Sequence, residues 1–131
     1  MIFAPDTNTI IYYFKGLGRV AESFLSVAPA EIAIPSVVLY ELEAGIAQSN
    51  QPTKRRAQLD ELLDVITIMP FDAPSARSAA KLEASLRAAG LPIGPKDVLI
   101  AGTALAHEAT LVTHNVREFR RVRGLHVVDW F

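Results

Sequence analysis

The chain alternates short apolar runs with longer segments in which apolar residues recur every three or four positions. Five short runs, bounded mostly by polar residues, glycine or proline, predict strands at residues 2–4, 31–34, 65–69, 110–113 and 127–129. The segments with helical spacing predict helices over residues 10–15, 20–27, 36–48, 75–89 and 116–121, with two more opening at Pro52 and at Gly94-Pro95. Because strand and helix alternate, the pattern favours a central parallel sheet with helices on both faces.

Capping residues mark where some of these helices begin and end. Ser36 is predicted to be the N-cap of the helix that follows it. Gly90 is predicted to end the alanine-rich helix, and Pro95 to occupy the first turn of the next, where its missing N–H costs nothing. In the helix that opens at Pro52, the apolar stripe predicted at helical spacing consists of Ala57, Leu59, Leu62, Leu63 and Ile66.

The length of the chain, 131 residues, suits one domain and is too short for two ordinary domains with a linker. The sequence contains no internal repeat and no low-complexity segment. We therefore predict an α/β fold in one domain, residues 1–131, with a central, mostly parallel sheet of about four to five short strands flanked by helices. In such sheets, ligands bind beyond the carboxyl ends of the strands.

The composition limits which metal ligands the chain can offer and how it can bind nucleic acid or a membrane. The chain has no cysteine, and its three histidines show no metal-ligand spacing, so any metal must bind oxygen atoms. A net charge of −1 argues against binding nucleic acid through a large overall positive charge. No basic leader precedes an apolar stretch, and the longest mostly apolar window, residues 98–106, is far shorter than the roughly 20 residues that cross a bilayer. We therefore expect a cytoplasmic protein without a membrane partner.

Two basic clusters hold seven of the thirteen lysine and arginine residues. They are Lys54-Arg55-Arg56 and the set Arg117, Arg120, Arg121 and Arg123. Taken alone, each cluster is most simply interpreted as the solvated face of a helix.

Four acidic residues stand at or near the ends of predicted strands and helices. Asp6 directly follows the first strand, and Asp97 lies in the first turn of a helix, where unpaired N–H groups stabilise a carboxylate. Either could be no more than a cap. Glu41 is the polar exception in an otherwise apolar helical turn. Glu118 follows the strand at residues 110–113 and could simply pair with a neighbouring arginine.

The joint arrangement of these four residues is more informative than any one of them, because all four could meet at one edge of the sheet. Carboxylates gathered without a counter-charge repel one another, and a divalent cation relieves that repulsion. Mg²⁺ or Mn²⁺ is the natural occupant, since such ions prefer oxygen ligands. Phosphodiester cleavage by metal-activated water is the matching reaction.

The motifs around these residues resemble those of PIN-domain nucleases. In chain order they are Asp6-Thr7-Asn8, Glu41-Leu42-Glu43-Ala44-Gly45, Gly94-Pro95-Lys96-Asp97 with Ile100-Ala101-Gly102, and Leu111-Val112-Thr113-His114-Asn115 with Arg117-Glu118-Phe119. The ending at residues 124–130 is similar to that of many VapC toxins, and the likeness covers the whole chain. Pro5 stands where the family commonly carries a bulky aliphatic residue; because proline cannot donate a ladder bond, we expect a short first strand.

The resemblance implies a Mg²⁺- or Mn²⁺-dependent endoribonuclease, the toxin of a toxin–antitoxin pair. Its partners would be an RNA substrate and a small VapB antitoxin that inserts a segment near the acidic site. The assembly expected from the resemblance is a homodimer or a larger hetero-oligomer with the antitoxin.

The resemblance also assigns roles to individual residues. Asp6 and Asp97 would be the principal metal ligands, and Glu41 would bind the metal directly or through water. Either Glu118 or Asn115 would fill the fourth place. The residues expected to hold carboxylates or water in position are Thr7, Asn8 and Thr113. The residues that could contact RNA phosphates, in place of a solvated face, are Arg117, Arg120 and Arg121.

Two other functions are compatible with parts of the sequence. A phosphatase of the haloacid dehalogenase type would use Asp6 as a nucleophile, but it normally carries a second acid two residues later, where this chain has Asn8. A catalytically degenerate RNA-binding or regulatory module would retain the fold without the reaction. The sequence leaves open which RNA is cut and whether one or two metal ions bind.

Overall fold

The structure is a computed structural model that describes all residues, 1–131. Its strands are β1 (Phe3–Pro5), β2 (Ala33–Pro35), β3 (Thr67–Met69), β4 (Thr110–Val112) and β5 (Val127–Val128). Its helices are α1 (Thr7–Lys15), α2 (Val20–Leu25), α3 (Ser36–Ala47), α4 (Pro52–Leu63), α5 (Ala73–Ala88), α6 (Pro95–Ala106) and α7 (Val116–Phe119), with one 3₁₀ turn at Pro29–Glu31. None of the seven α-helices combines the length and the apolar character that a membrane-spanning segment needs.

All strand pairs are parallel. β1, β4 and β5 form one ladder with β4 in the middle, and β2 pairs with β3. A single parallel bridge between Phe3 and Ile32 joins the two ladders, so the strands follow the order β3-β2-β1-β4-β5. The predicted α/β fold with a mostly parallel sheet of short strands is confirmed. The order reverses between β1 and β4, and in open parallel sheets the crevice at such a reversal is where ligands bind.

Pro5 explains why β1 joins β2 by only one bridge. Asp6 N–H donates to the Val112 carbonyl, and Thr110 N–H donates to the Ile2 carbonyl, so the even-numbered residues of this segment direct their backbone groups toward β4. Pro5 therefore faces β2, and it has no N–H to donate there. The first strand is three residues long, which confirms the expectation of a short strand.

A hydrophobic core of 25 buried residues lies between the sheet and the surrounding helices. Leu59, Leu62 and Ile66 of the predicted apolar stripe belong to it. Ala57 does not, because its side chain points to solvent, so its assignment to the stripe was wrong.

Two of the predicted helix boundaries are confirmed and one is wrong. Gly90 adopts a left-handed conformation, φ 71°, just after α5, and Pro95 lies in the first turn of α6. Ser36, however, is the first residue of α3 and makes no capping bond to that helix. Its hydroxyl instead donates to the Met69 carbonyl and accepts from the Phe71 N–H. A tertiary contact with the end of β3 has therefore taken the place of the cap.

Candidate active site

Asp6 lies at the strand reversal, between the end of β1 and the start of α1. It is the N-cap of α1: its Oδ1 accepts a hydrogen bond from the Thr9 N–H at 2.9 Å. Its Oδ2 accepts a second bond from the Thr113 hydroxyl at 2.6 Å. The residue is only 7% exposed, and no lysine, arginine or histidine forms an ion pair with it. The cap explains why aspartate suits this position, but a serine or asparagine would cap equally well without a buried charge.

Burial raises the pKa of Asp6 above its usual value, and the neighbouring charge of Glu41 raises it further. The hydrogen bonds from Thr113 and Thr9 act in the opposite direction, since they favour the ionised carboxylate, but they only partly offset burial. Asp6 is thus a buried acid that is oriented by hydrogen bonds and lacks a cation.

Thr113 links Asp6 to the loop after β4. Its hydroxyl donates to Asp6 and accepts from the Asn115 N–H at 2.9 Å. The Asn115 side-chain amide in turn donates to Glu118 Oε2 at 2.7 Å. Asn115 and Glu118, the two candidates for the fourth position, therefore form one hydrogen-bonded pair. Glu118 makes no ion pair with an arginine in this structure.

Asp97, in the first turn of α6, shows that the four carboxylates share one region. Burial raises the pKa of its carboxyl group to about 6, and the nearby charges of Asp6, Glu118 and Glu41 add to the shift. Acids far apart in the sequence therefore repel one another at this edge.

Glu41 is half-buried on α3, and its orientation is set from α1. The Thr7 hydroxyl donates to Glu41 Oε1 at 2.6 Å. The first residue of α1 thus holds one acid of the edge while Asp6, immediately before it, supplies another.

The donor set at this edge fits a hard divalent cation. It consists of oxygen atoms, it carries negative charge without an ion-paired cation, and Asp6 is already oriented by its neighbours. No group of three acidic or histidine side chains, however, lies close enough together to hold a metal ion by itself. An ion here would be bound by one or two carboxylates and would keep several waters, which is how Mg²⁺ usually binds in proteins.

The remaining predicted site residues are exposed or partly buried. Asn8 is exposed and lines a cavity of about 210 Å³ together with Asp6, Tyr12, His114 and Asn115. Arg117 and Arg120 are exposed on and just after α7. Arg121 is partly buried, and its guanidinium donates to the Pro92 carbonyl at 3.2 Å.

The other basic cluster is largely committed to contacts around α4. Arg56 pairs with Glu43 and, at 3.6 Å, with Asp60. Arg55 donates to the Gln58 side chain at 2.8 Å. Arg55 and Arg56 are therefore partly buried and bonded, and of this cluster only Lys54 is exposed in the way that a solvated helix face predicts.

Sequence reasoning missed Thr9. Its N–H caps Asp6, and its hydroxyl donates to the Val112 carbonyl at 3.1 Å. The bond to the backbone N–H of Thr9 follows from an N-cap aspartate at Asp6, whatever residue stands three positions later. The contact with Val112 was not visible in the sequence, because it depends on β1 lying beside β4.

Comparison with known proteins places the chain among relatives of nearly the same length. The PIN domain family model matches residues 3–125. Ribonuclease VapC2 of Rickettsia felis is 35% identical, with 99% of this chain and 98% of the relative covered. The tRNA(fMet)-specific endonuclease VapC of Shigella flexneri is 34% identical, with 98% and 97% covered.

Solved structures agree with these relatives. The structure of VapBC2 from Rickettsia felis bound to a DNA fragment from its promoter matches with a TM-score of 0.93 at 34% identity, covering 100% of both chains. DNA-bound VapBC from Salmonella typhimurium matches with a TM-score of 0.92 at 30% identity, covering 100% of this chain and 99% of that one. The chain therefore belongs to the PIN-domain family and, within it, to the VapC ribonucleases.

Proposed function

We propose that this chain is the RNA-cleaving toxin of a toxin–antitoxin pair and that it cleaves RNA at the edge formed by Asp6, Glu41, Asp97 and Glu118. The observation that carries the proposal is that these four acids lie near one another without an ion-paired cation; burial and the other three charges together raise the pKa of Asp97 to about 6. Such crowding of negative charge is unfavourable unless a cation binds there. The names of the relatives, ribonuclease and tRNA(fMet)-specific endonuclease, support the same reaction class and give no support to a phosphatase.

Asp6 and Asp97 would hold a Mg²⁺ or Mn²⁺ ion directly, and Glu41 and Glu118 would act through water. When bound, such an ion polarises the phosphate, lowers the pKa of water and offsets charge on the leaving oxygen. We prefer a water-mediated role for Glu41 because no three acidic side chains lie close enough together to hold an ion without water.

The side chains themselves would orient the metal-binding carboxylates and accept a proton from water. Thr9 and Thr113 keep the Asp6 carboxylate in one position, so less conformational freedom is lost when a ligand binds. Thr7 holds Oε1 of Glu41, which leaves Oε2 to accept a proton from the attacking water. Asn115 holds Glu118 in the same way, so in this proposal the acid fills the fourth place and the amide positions it.

Substrate affinity would come partly from α7. Arg117 and Arg120 are exposed within two residues of Glu118 along the chain, so they could reach phosphates next to the cleaved bond. Arg121 would contribute less, because part of its guanidinium is bound to Pro92. Contacts of this kind give affinity without choice of sequence.

A VapB-type antitoxin is the protein partner that we propose. The support is that the solved relatives are VapBC complexes, including those from Rickettsia felis, Salmonella typhimurium and Haemophilus influenzae. We extend to this chain the homodimer or larger hetero-oligomer expected from the sequence. The cytoplasm, where RNA and a newly made antitoxin meet, is the proposed location.

Metal-dependent cleavage of single-stranded RNA tests the proposed function. With Mg²⁺ the wild type should cleave; EDTA should reduce cleavage to background, and excess Mg²⁺ should restore it. Asp6→Asn should not cleave although it folds, because asparagine can still accept the Thr9 N–H and cap α1. Cleavage that persists in EDTA would contradict the metal mechanism. RNA binding without any cleavage in Mg²⁺ or Mn²⁺ would instead support the degenerate binding module.

A further inference from the structure

The cavity beside Asp6 is lined by aromatic and amide side chains, which binding a metal ion does not require. It holds about 210 Å³ and is lined by Asp6, Asn8, Tyr12, His114 and Asn115. Two of these side chains are aromatic rings and two are carboxamides. No lysine or arginine lines it, and it contains a carboxylate, so a phosphate is a poor fit for the cavity itself.

The His114 ring lines this cavity and packs against other aromatic rings. Phe131 stacks on the imidazole, with centroids 4.2 Å apart and planes 24° from parallel. Tyr12 approaches edge-on at 6.1 Å, and Nδ1 lies 2.9 Å from Asp129 Oδ2. The side chain is nevertheless 48% exposed. A ring that is held on one face and exposed elsewhere can stack a further planar group.

The aromatic support behind His114 is itself well anchored. Phe131 N–H donates to Asp129 Oδ1 at 2.8 Å, and the Phe131 carbonyl accepts from the Arg19 N–H at 2.8 Å. Gly18 lies so close that a Cβ placed on it would be 2.8 Å from the Phe131 ring. Tyr12 also packs edge-on against Phe131, with centroids 5.0 Å apart. The stacking surface is therefore formed before any ligand arrives.

The carboxamides beside this surface have free hydrogen-bonding atoms. The side chain of Asn8 is exposed and makes no hydrogen bond in the structure, so its donor and its acceptor are both available. Asn115 uses its amide nitrogen on Glu118 and keeps its carbonyl oxygen. Amide groups of this kind pair with the edges of nucleobases.

We propose that this cavity binds one unpaired nucleobase of the RNA, stacked on His114 and read at its edge by Asn8 and Asn115. The inference rests on the proposed nuclease function and deepens it. Because Asp6 belongs both to the cavity and to the metal edge, the bound base belongs to a nucleotide that flanks the cleaved phosphate. The substrate is then single-stranded RNA or a loop, since an unpaired base can leave its stack and lie against a protein ring.

The test combines a change in the RNA with a change in the protein. Short RNAs carry an abasic residue on one side or the other of the cleaved bond. Wild type should lose about tenfold or more in kcat/KM at one of these positions, mostly through KM, since base stacking contributes roughly that much. His114→Ala should lose a similar factor on intact RNA and little more on the abasic RNA. His114→Phe keeps a stacking ring, although it loses the contact with Asp129, and should recover most of the loss seen in His114→Ala.

His126→Ala is the matched control, because His126 is exposed and its side chain makes no hydrogen bond or ion pair in the structure; it should match wild type on every RNA. Equal abasic penalties in wild type and His114→Ala would overturn the nucleobase site while leaving the nuclease intact. Equal losses in His114→Ala and His114→Phe would also overturn it, because stacking would not be the cause. A wild type that cleaves neither RNA in Mg²⁺ would overturn the nuclease proposal and this inference with it.

Discussion

Replacing Asp97 by asparagine is expected to lower the rate of RNA cleavage on the order of 10³-fold, because a metal ligand is lost whose ion contributes several kcal/mol to catalysis. The substitution should not reduce the stability of the fold. Asp97 makes no hydrogen bond to another side chain and no ion pair in the structure, and its carboxylate is repelled by three neighbouring acids. Cleavage assays with Mg²⁺ and thermal unfolding in EDTA measure the two effects separately.

The substitution should also change how the stability of the protein depends on pH. The pKa of Asp97 rises from 3.8 to about 6 on folding, so the folded state holds a proton more tightly than the unfolded state does. The stability that Asp97 contributes is therefore present in full below pH 3.8 and is lost as pH rises through about 6. Without metal, the difference in melting temperature between Asp97→Asn and wild type should shift in favour of the variant as pH rises from 5 to 7.

Asp64→Asn is the matched control, since Asp64 is exposed at the end of α4 and makes no ion pair. It should leave cleavage unchanged. If Asp97→Asn cleaved RNA within a few-fold of wild type, Asp97 would not be a metal ligand. If it unfolded in EDTA at pH 7, the carboxylate would be a structural group instead.

Gly102→Ala is expected to destabilise the protein by about 3 kcal/mol, or roughly 10 °C in Tm. Gly102 lies on α6 where that helix packs against α5, and a Cβ built on it would be 2.6 Å from the Ala79 Cβ and 2.7 Å from the Ala79 backbone. Backbone cannot move aside as the end of a flexible side chain can, so the two helices must separate. Because α6 also carries Asp97, Mg²⁺-dependent cleavage should fall as well. Chemical denaturation gives the free energy of unfolding.

Gly45→Ala is the control for Gly102→Ala, because it changes helix propensity without introducing a steric clash. Gly45 is a helical residue of α3, and a Cβ placed on it would meet no atom within 4 Å. Alanine there should stabilise the protein by roughly 0.5 to 1 kcal/mol, because it is the better helix former. A Gly102→Ala variant as stable as wild type would show that the α5–α6 approach is not as tight as the structure has it.

Much of the fold could be predicted from the sequence because strands and helices have different hydrophobic periods. All five apolar runs overlap strands, although four of the strands are shorter than predicted and β1 and β2 each extend one residue past the predicted run, to Pro5 and Pro35. Ser36 shows where local reasoning fails. Its hydroxyl bonds to Met69 and the N–H of Phe71, and nothing in the local sequence indicates that β3 will end beside α3.

The acidic residues could be predicted because a charge in an apolar turn or directly after a strand is conspicuous. The hydrogen bonds that hold these acidic side chains in position could not be predicted. Thr113 bonds to Asp6 across 107 positions, and Thr7 bonds to Glu41 across 34, so both contacts depend on the strand order and the packing of α1 on α3. The same holds for the cavity between Tyr12 and His114, since its two rings meet only when β1 and β4 are neighbours.

Anomalous X-ray scattering from Mn²⁺ in crystals of this protein tests most directly whether the acids form a metal site. We expect a peak about 2.1 Å from an oxygen of Asp6 and from an oxygen of Asp97. Water should separate the ion from Glu41 and Glu118. An ion found only elsewhere on the surface, with no peak between the two aspartates, would show that Asp6 and Asp97 do not form a metal site.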